Sequence, residues 1–291
     1  MINVYEFLCY QPTLYKQFIC NDLMFVYYYC PQAIPKVDVF THYNILSFLM
    51  EGGKLINRPK KTWLLEAGQC YFFQTGAFNQ ELYLEEGWRS MNLYIPTGYL
   101  QQFITDNQSV LQHDASSSPA FKQVNELQIS TQSWLLSQQM LAYFSEEAAP
   151  SEANLEQCFR ALLLSVLAEP GNHSLVAHLG KLAKRTRPLL YSVMETNFMY
   201  NLSITEFAQL ANLSLPTFKR EFKRVFDTTP AHWLMQKRLT YARLLLKTTE
   251  MSVGDIVLKS GFESGSHFSR VFKQQYGAPP LHYRRQLIVN L

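Results

Sequence analysis

Six lysine and arginine residues near the carboxyl end of the chain have the chemistry needed to bind nucleic acid. They are Lys219, Arg220, Lys223, Arg224, Arg270 and Lys273. An arginine guanidinium can donate two hydrogen bonds to the edge of a guanine, and both residue types neutralise backbone phosphates. We therefore expect Arg220 and Arg270 to contact base edges, whereas the three lysines are expected to contact phosphates.

These basic residues belong to a segment that the chain contains twice. The two copies share an aromatic stripe, which consists of Phe218, Phe222 and Phe226 in the first copy and of Phe268, Phe272 and Tyr276 in the second. Each position is displaced by 50 residues (268 − 218 = 50). A spacing of four residues places a stripe on one face of a helix, which leaves the opposite, basic face free. The candidate DNA contacts on that free face and just before it are Ser214, Pro216, Thr217, Lys219, Arg220, Lys223, Arg224, Ser264, Gly265, Ser266, Ser269, Arg270 and Lys273.

A shorter helix is predicted before each of these two helices. Ser203 and Ser252 each precede an acidic residue by three positions, which is the pattern of a capped helix start. Asn212 and Gly261 then follow, and both residue types readily adopt the left-handed conformation that ends a helix. Each copy therefore predicts a helix-turn-helix motif, whose second helix has the size and charge to enter a DNA major groove.

Residues 196–285 resemble the DNA-binding domain of the AraC/XylS family of bacterial transcription regulators. The second copy, over residues 256–284, is similar to the family signature almost throughout, and Asp227 stands where the first motif usually has glycine. The resemblance implies a sequence-specific regulator, most often an activator, that binds double-stranded DNA. It also implies RNA polymerase as a second partner and a homodimer as the assembly.

Charge divides the 291-residue chain into two parts of opposite sign. Residues 181–291 contain 17 Lys and Arg against 7 Asp and Glu, whereas residues 1–180 contain 9 against 16. A basic part attracts phosphate, and an acidic part must have another role. We predict a cupin-like regulatory domain at 1–110, a helical linker and dimerisation region at 111–172, and a DNA-binding domain at 185–291 with helix-turn-helix motifs at 203–226 and 252–276.

The amino-terminal region is predicted to consist of short β-strands as far as about residue 95. The predicted strands are 23–29, 45–50, 63–66, 70–74, 81–84 and 90–94. Short aromatic and β-branched runs separated by glycine turns are typical of a small barrel or sandwich, and their order resembles the cupin-like effector domains of AraC-type regulators. The predicted fold class is α+β: a cupin-like β-barrel or sandwich with flanking helices, then an all-α DNA-binding domain whose two motifs are joined by a long helix.

Aromatic residues of these strands are candidates to line an effector pocket. They are Tyr27, Tyr29, Phe48, Trp63, Tyr71, Phe73, Tyr83 and Trp88, with Arg89 as the candidate anion contact. Aromatic faces could stack on a sugar or another small molecule, or the same side chains could simply fill the barrel. The layout also resembles activators of type III secretion whose amino-terminal domain answers to a protein. A small-molecule effector and a regulatory protein therefore both remain open.

No metal or cofactor site is predicted. A cupin enzyme usually holds its metal with two histidines one residue apart plus a further carboxylate and histidine, but His42 is followed by Tyr43 and Asn44, and the chain contains no His-x-His pair. We therefore predict a non-enzymatic protein rather than the alternative, a cupin-type metal enzyme with an appended nucleic-acid-binding domain. A DNA-architectural protein is disfavoured, because such proteins use groove wedges and diffuse charge.

An apolar stripe at helical spacing lies between the predicted strands and the DNA-binding domain. It consists of Leu155, Phe159, Leu162, Leu163 and Val166. Such a stripe could dock on the chain's own barrel or pair with its copy in a second subunit, and the family resemblance favours the homodimer.

The composition, with 47% hydrophobic and 17% charged residues, predicts a folded chain that can bury two cores. No apolar run approaches the ~18 residues that span a bilayer, and the amino terminus has no charged leader before an apolar segment. We therefore expect a cytoplasmic protein without membrane contact.

Overall fold

The structure is a computed structural model, which describes residues 1–12, 14–30, 34–58, 61–82, 87–108, 111, 121–146, 149–183 and 190–289. The chain forms two compact units, Ile2–Arg187 and Pro188–Leu291, and Met1 is grouped with the second. Within the described residues, no helix is long and apolar enough to cross a membrane. The predicted polar linker around His113 and the candidate Tyr83 lie outside the described residues.

The first unit contains two β-sheets. Its strands are β1 (Ile2–Asn3), β2 (Gln17–Cys20), β3 (Leu23–Cys30), β4 (Ile34–Thr41), β5 (Asn44–Glu51), β6 (Gly53–Arg58), β7 (Lys61–Glu66), β8 (Cys70–Phe73), β9 (Gly76–Leu82), β10 (Trp88–Ile95) and β11 (Val124–Leu127). Five strands form one sheet in the order β1-β4-β9-β6-β7, and six form the other in the order β11-β8-β5-β10-β3-β2. All pairings are antiparallel except β1 with β4.

The six-stranded sheet is buried on both faces. Along β3, Met24 and Val26 pack towards the five-stranded sheet, in one cluster with Val39 and Ile56 of that sheet. Phe25, on the opposite face, belongs to a second cluster that includes the helices of the unit. Because both faces are covered, the central strands β3, β5, β8 and β10 are largely apolar rather than alternating, and the sequence predicted all four. The edge strands β2 and β11 were not predicted.

Five helices in the described part of the chain complete the first unit. They are α1 (Val4–Cys9), α2 (Thr97–Asp106), α3 (Thr131–Ala142), α4 (Glu152–Ala168) and α5 (His173–Ala183), and a single 3-10 turn (Pro170–Asn172) joins α4 to α5. Ser130 and Ser151 cap α3 and α4 by accepting hydrogen bonds from the backbone of the first turn. The described residues between 111 and 172 are part of this unit, since β11 pairs with β8 and the helices pack on the same sheet.

The apolar stripe of α4 packs on the chain's own sheet. The side chains of Leu155, Phe159, Leu162, Leu163 and Val166 are each exposed by 2% or less. The ring of Phe159 meets the edge of Phe25 in β3 at a centroid distance of 5.7 Å. The structure thus corrects the assignment of this stripe to a dimer interface, because these side chains are already covered within one subunit.

All of the regular secondary structure in the described residues of the second unit is helical. Its helices are α6 (Leu190–Asn197), α7 (Ile204–Leu210), α8 (Leu215–Phe226), α9 (Pro230–Thr248), α10 (Val253–Lys259), α11 (Gly265–Tyr276) and α12 (Pro280–Val289). The pairs α7–α8 and α10–α11 are the two predicted helix-turn-helix motifs, and α9 is the long helix that joins them. The predicted α+β fold class, with β structure first and an all-α domain last, is confirmed.

Candidate nucleic-acid interface

Side-chain caps set the start of all four motif helices. Ser203 opens α7 with a full capping box, in which its hydroxyl accepts from the Glu206 backbone while the Glu206 carboxylate accepts from the Ser203 backbone. Ser252 caps α10, and Ser214 and Ser264 cap α8 and α11. Each cap satisfies a backbone donor that a helix end leaves unpaired. The helices therefore begin where the sequence predicted.

The turns between the paired helices use residues in the left-handed conformation. Asn212 has a φ of 57° and Gly261 a φ of 84°, as their residue types predicted. After α8 and α11, the equivalent positions Asp227 and Gly277 have φ values of 51° and 81°, so aspartate replaces glycine without changing the turn. Gly261 has a second constraint, because a Cβ there would lie 3.0 Å from the carbonyl oxygen of Met199.

The sequence repeat is also a repeat of ring contacts. Phe222 stacks on Phe226 with centroids 4.4 Å apart, and Trp233 of α9 lies 6.1 Å from Phe222. The same contacts recur 50 residues later, where the centroids of Phe272 and Tyr276 are 4.7 Å apart and Tyr283 of α12 lies 5.5 Å from Phe272. The aromatic stripe of each copy therefore fixes the second helix of its motif against the helix that follows.

The face opposite each stripe is open to solvent. Thr217 and Ser269 are partly exposed, and the other eleven candidate DNA contacts are exposed: Ser214, Pro216, Lys219, Arg220, Lys223, Arg224, Ser264, Gly265, Ser266, Arg270 and Lys273. They all lie on α8, on α11 or on the residue that caps one of these helices. The structure therefore gathers the candidates into two surfaces, one on each second helix.

The basic face of α8 carries its own counter-charges. A carboxylate oxygen of Glu221 lies 2.9 Å from the guanidinium of Arg224, and its other oxygen lies 3.8 Å from Nε of Arg220. Nζ of Lys223 lies 3.0 Å from the carboxylate of Asp227. These pairs are solvent-exposed, so each contributes little stability. They do, however, offset part of the positive charge that this helix presents.

The face of α11 has no acidic residue. Nη2 of Arg270 lies 3.3 Å from Nδ1 of His267, one turn earlier. A guanidinium can only donate, so Nδ1 is the acceptor in this contact. The imidazole also contacts the ring of Phe262, which is buried in the turn. His267 was not among the predicted site residues. Its position three residues before Arg270 indicates a contact, because residues three apart on a helix are neighbours on its surface.

A half-buried arginine on α9, Arg238, lies close to residues of both motifs. Arg238 donates from Nε to the carbonyl oxygen of Phe198 and from Nη2 to that of Tyr200, both at 2.7 Å. Its Nε also lies 2.9 Å from the position that a Cβ at Gly261 would occupy. Burial lowers the pKa of Arg238 to about 10, so the side chain remains charged at neutral pH. Sequence analysis assigned it no role, since backbone carbonyl acceptors leave no mark in a residue pattern.

Each of the two units contains a segment that matches a known protein family. Residues 207–286 match a family described as a helix-turn-helix domain, and residues 44–178 match one described as the ExsA N-terminal regulatory domain. The chain belongs to the AraC/XylS family. The two matches place a regulatory domain before a DNA-binding domain in this AraC-type chain.

Named relatives of this AraC-type chain are transcription regulators. The virulence regulon transcriptional activator VirF of Yersinia enterocolitica is 27% identical over 87% of this chain and 93% of its own. The HTH-type transcriptional activator RhaS of Escherichia coli O1:K1 is 32% identical over 62% of each chain. A solved AraC-type regulator from Chromobacterium violaceum is 34% identical, covering 34% of this chain and 88% of its own, with a TM-score of 0.31.

The structure does not bring the predicted effector-pocket residues together. Trp63, Tyr71, Phe73 and Trp88 belong to the cluster between the two sheets, whereas Phe48 and Tyr27 lie on the opposite face of the six-stranded sheet, against the helices. This is a correction: Phe48 and Tyr27 do not face the sandwich interior, because neighbouring residues of a strand point to opposite faces.

Arg89 and Tyr29 are also placed away from the interior. Tyr29 is 45% exposed, and the Arg89 guanidinium lies 4.8 Å from its ring centroid. Arg89 also forms an ion pair with Glu51 at 3.0 Å. The carboxylate of Glu51 raises the pKa of Arg89. The predicted role of Arg89 as the anion contact of an interior pocket is therefore corrected, because it pairs with Glu51 at the surface.

His42 lies among side chains of the first unit rather than in a ligand cluster. Its Nδ1 is 3.3 Å from the amide nitrogen of Asn3, and its ring contacts Tyr5 and Tyr43. Burial lowers the pKa of this histidine. Across the described ranges, no three His, Cys, Asp or Glu side chains are grouped closely enough to hold a metal ion.

Proposed function

We propose that this chain is a sequence-specific transcription activator that reads DNA with α8 and α11 and receives a signal through its amino-terminal unit. The observation that supports this function is the pair of helix-turn-helix motifs, which have matching caps, turns and aromatic supports and expose a basic face on the second helix of each. VirF and RhaS are both named activators, which supports activation over repression.

On α8 and on α11, the arginines and the lysines have different roles in DNA binding. Arg220 and Arg270 contact base edges, where a bidentate pair with guanine discriminates between bases by about 1 to 3 kcal/mol. Lys219, Lys223 and Lys273 contact phosphates and supply affinity that depends on salt but not on sequence. Because α8 and α11 differ in residue content, the two half-sites differ in base sequence. They are arranged in the same orientation along the DNA.

RNA polymerase, a second copy of the chain and an effector complete the proposed set of partners. An activator acts by favouring polymerase at a promoter, so a contact with RNA polymerase belongs to this function. A homodimer must use a surface other than the α4 stripe, which is buried within one subunit. The effector, a small molecule or a regulatory protein, acts on the unit formed by residues 2–187.

Footprinting on promoter DNA with the full chain tests this proposal. A discrete protected site is expected, and Arg270→Ala should weaken binding to that site about 5- to 150-fold while leaving binding to random DNA nearly unchanged. Lys36→Ala, an exposed lysine of the first unit, is the control and should change neither. Uniform protection of the DNA, without a discrete site, would instead indicate an architectural protein and would contradict the proposal.

The spacing of the half-sites gives an independent test. One rigid unit carrying both helices should require half-sites about 10 base pairs apart on one face of the duplex. Inserting five base pairs rotates one half-site to the opposite face and should abolish tight binding by one subunit. Retained affinity would mean that α8 and α11 do not bind as a rigid pair.

A further inference from the structure

A cavity of about 230 Å³ lies between the two sheets of the first unit. Its walls are mostly apolar and include Val4, Phe7 and Leu8 of the α1 region and Val39 and Tyr94 of the two sheets. One water occupies about 30 Å³ in the liquid, so the space corresponds to about eight water molecules, which is enough for a small organic molecule.

A lysine is part of the cavity wall. Lys54 is on β6, two residues before Ile56, whose side chain is fully buried in the cluster between the sheets. Alternate residues of a strand share a face, so Lys54 points into the same interior. Its Nζ lies 5.3 Å from the ring centroid of Trp88, another side chain of that cluster.

Lys54 has no counter-charge among the described residues. The ion pairs found there involve Arg89, Arg220, Lys223, Arg224 and Lys237, and none involves Lys54. Burial lowers the pKa of Lys54 to about 8, and the Cys30 thiol opposes this shift. The ammonium therefore remains mostly protonated at neutral pH. Lys54 is half-buried. A partly desolvated charge without an ion pair is costly, and an anion in the cavity would offset that cost.

The Asn92 side chain, which also lines the cavity, already has partners. Asn92 accepts a hydrogen bond from the Ser47 hydroxyl at 2.6 Å and donates one to Ser90 at 3.0 Å. The indole nitrogen of Trp88 also donates to Ser90, at 3.0 Å. This network lies inside the sandwich and includes Asn92, which lines the cavity. Tyr28, Gln80 and Tyr94 line the cavity as well, but the Lys54 ammonium is the cationic group of this lining and therefore the natural contact for an anion.

We propose that this cavity binds small monocarboxylates with an apolar body, with the carboxylate on Lys54 and the body against the apolar wall that includes α1. This assignment deepens the proposed function, since it names the chemical class of an effector and rests on that function for its regulatory consequence. It also replaces the set of aromatic residues and Arg89 that the sequence indicated. Aliphatic and aromatic acids share this chemistry, and the experiment distinguishes them.

Calorimetric titration of the full chain with octanoate and with octanamide tests the assignment. The amide has the same apolar body and no charge, so octanoate should bind at least tenfold more tightly at pH 7, since a hydrogen bond to a charged group is the stronger kind. Titration with 3-phenylpropanoate shows whether the cavity takes an aromatic body as well. Binding of either acid with this charge preference supports the proposal.

Variants of two lysines locate the binding charge. Lys54→Met should reduce octanoate affinity to that of octanamide. Lys61→Met is the matched control and should leave octanoate affinity within twofold, because Nζ of Lys61 also lies over a tryptophan, at 5.2 Å from the Trp63 ring, but is exposed. Val37→Phe, which fills the cavity from a half-buried position, should weaken both ligands and provides a second variant.

Three results would overturn the inference: equal binding of acid and amide, octanoate binding that Lys54→Met leaves unchanged, or no binding of any of the three probes. These readouts need no DNA. If the cavity binds no acid while footprinting still finds a discrete site, the inference fails and the proposed DNA-binding function stands. If acids bind but no site is found, the reverse holds.

Discussion

The contact between His267 and Arg270 is the most specific residue-level feature of the α11 surface. Because the imidazole accepts from the guanidinium and packs on Phe262, it restricts the directions in which Arg270 can point. A restricted side chain loses less conformational entropy when it binds, and this favours the base whose edge lies in the right place.

His267→Ala should therefore reduce discrimination at the base pair that Arg270 contacts, by about three- to tenfold, which corresponds to a hydrogen bond of about 1 kcal/mol. Binding titrations with the matched site, a site altered at that base pair and random DNA would measure this. Added to Arg270→Ala, the histidine change should have no further effect. Equal losses on all three DNAs would show that His267 supports the fold and not the reading of sequence.

Glu221 should limit the affinity of α8 for DNA. Its carboxylate pairs with Arg220 and Arg224, and pairs of this exposed kind are worth about 0.2 to 1 kcal/mol. Glu221→Gln should therefore raise affinity for random DNA about two- to fivefold and steepen its salt dependence. Glu250→Gln, at an exposed site just after α9, is the charge-matched control. Unchanged salt dependence relative to that control would contradict this role.

At the scale of elements, the turn before α11 depends on Gly261. Gly261→Ala should lower the free energy of unfolding by about 1 to 3 kcal/mol, because φ is 84° and the added Cβ would meet the carbonyl oxygen of Met199. Gly265→Ala is the control, since a Cβ in the first turn of α11 meets nothing within 4 Å and φ there is ordinary. Urea denaturation of both variants would measure the difference, and equal stabilities would show that the turn tolerates a side chain.

A charged substitution in the α4 stripe should destabilise the fold of the first unit, as expected for a core residue, rather than change only the oligomeric state. Leu163→Lys should destabilise the first unit by about 3 kcal/mol or more, because it buries an ammonium where the side chain is 1% exposed. Leu135→Lys on α3, where the side chain is 62% exposed, should leave stability nearly unchanged. Thermal melting and light scattering would separate the outcomes. A stable monomeric Leu163→Lys protein would restore the dimer interpretation of the stripe.

The second unit could be predicted from sequence element by element, because each signal is local. Caps, turn residues and aromatic stripes of α7 to α11 depend on residues a few positions apart. The first unit could be predicted only in part. The strands β3, β5 and β10 were found, but their two buried faces give no alternation, so the sequence could not say that Phe48 and Phe73 point to opposite sides.

Three further features of the first unit depend on long-range contacts. The strand β11 is four residues long, and it forms a strand because it pairs with β8, about 50 positions earlier. The stripe of α4 has the same pattern whether its partner is a sheet of the same chain or a second helix, so only the fold decides. Lys54 and its cavity were missed for the same reason, since nothing local marks a lysine that faces inwards.

At the scale of the whole molecule, the division into two units predicts that DNA reading is separable from signal reception. A fragment of residues 188–291 should protect the same DNA site as the full chain and need no effector, although with lower affinity than a dimer that binds through two linked subunits. Footprinting of both proteins on one DNA would measure this. A fragment that is folded by circular dichroism yet leaves the site unprotected would show that the first unit takes part in binding.

The bonds of Arg238 have a consequence for the kind of site that such a protein can recognise. One side chain on α9 fixes the chain before α7 and touches the turn before α11, so neither motif can move without disturbing it. On the proposed function, the protein therefore measures a fixed length of DNA as well as reading bases. Promoters that this regulator controls should tolerate changes of base more readily than the gain or loss of a single base pair between the half-sites.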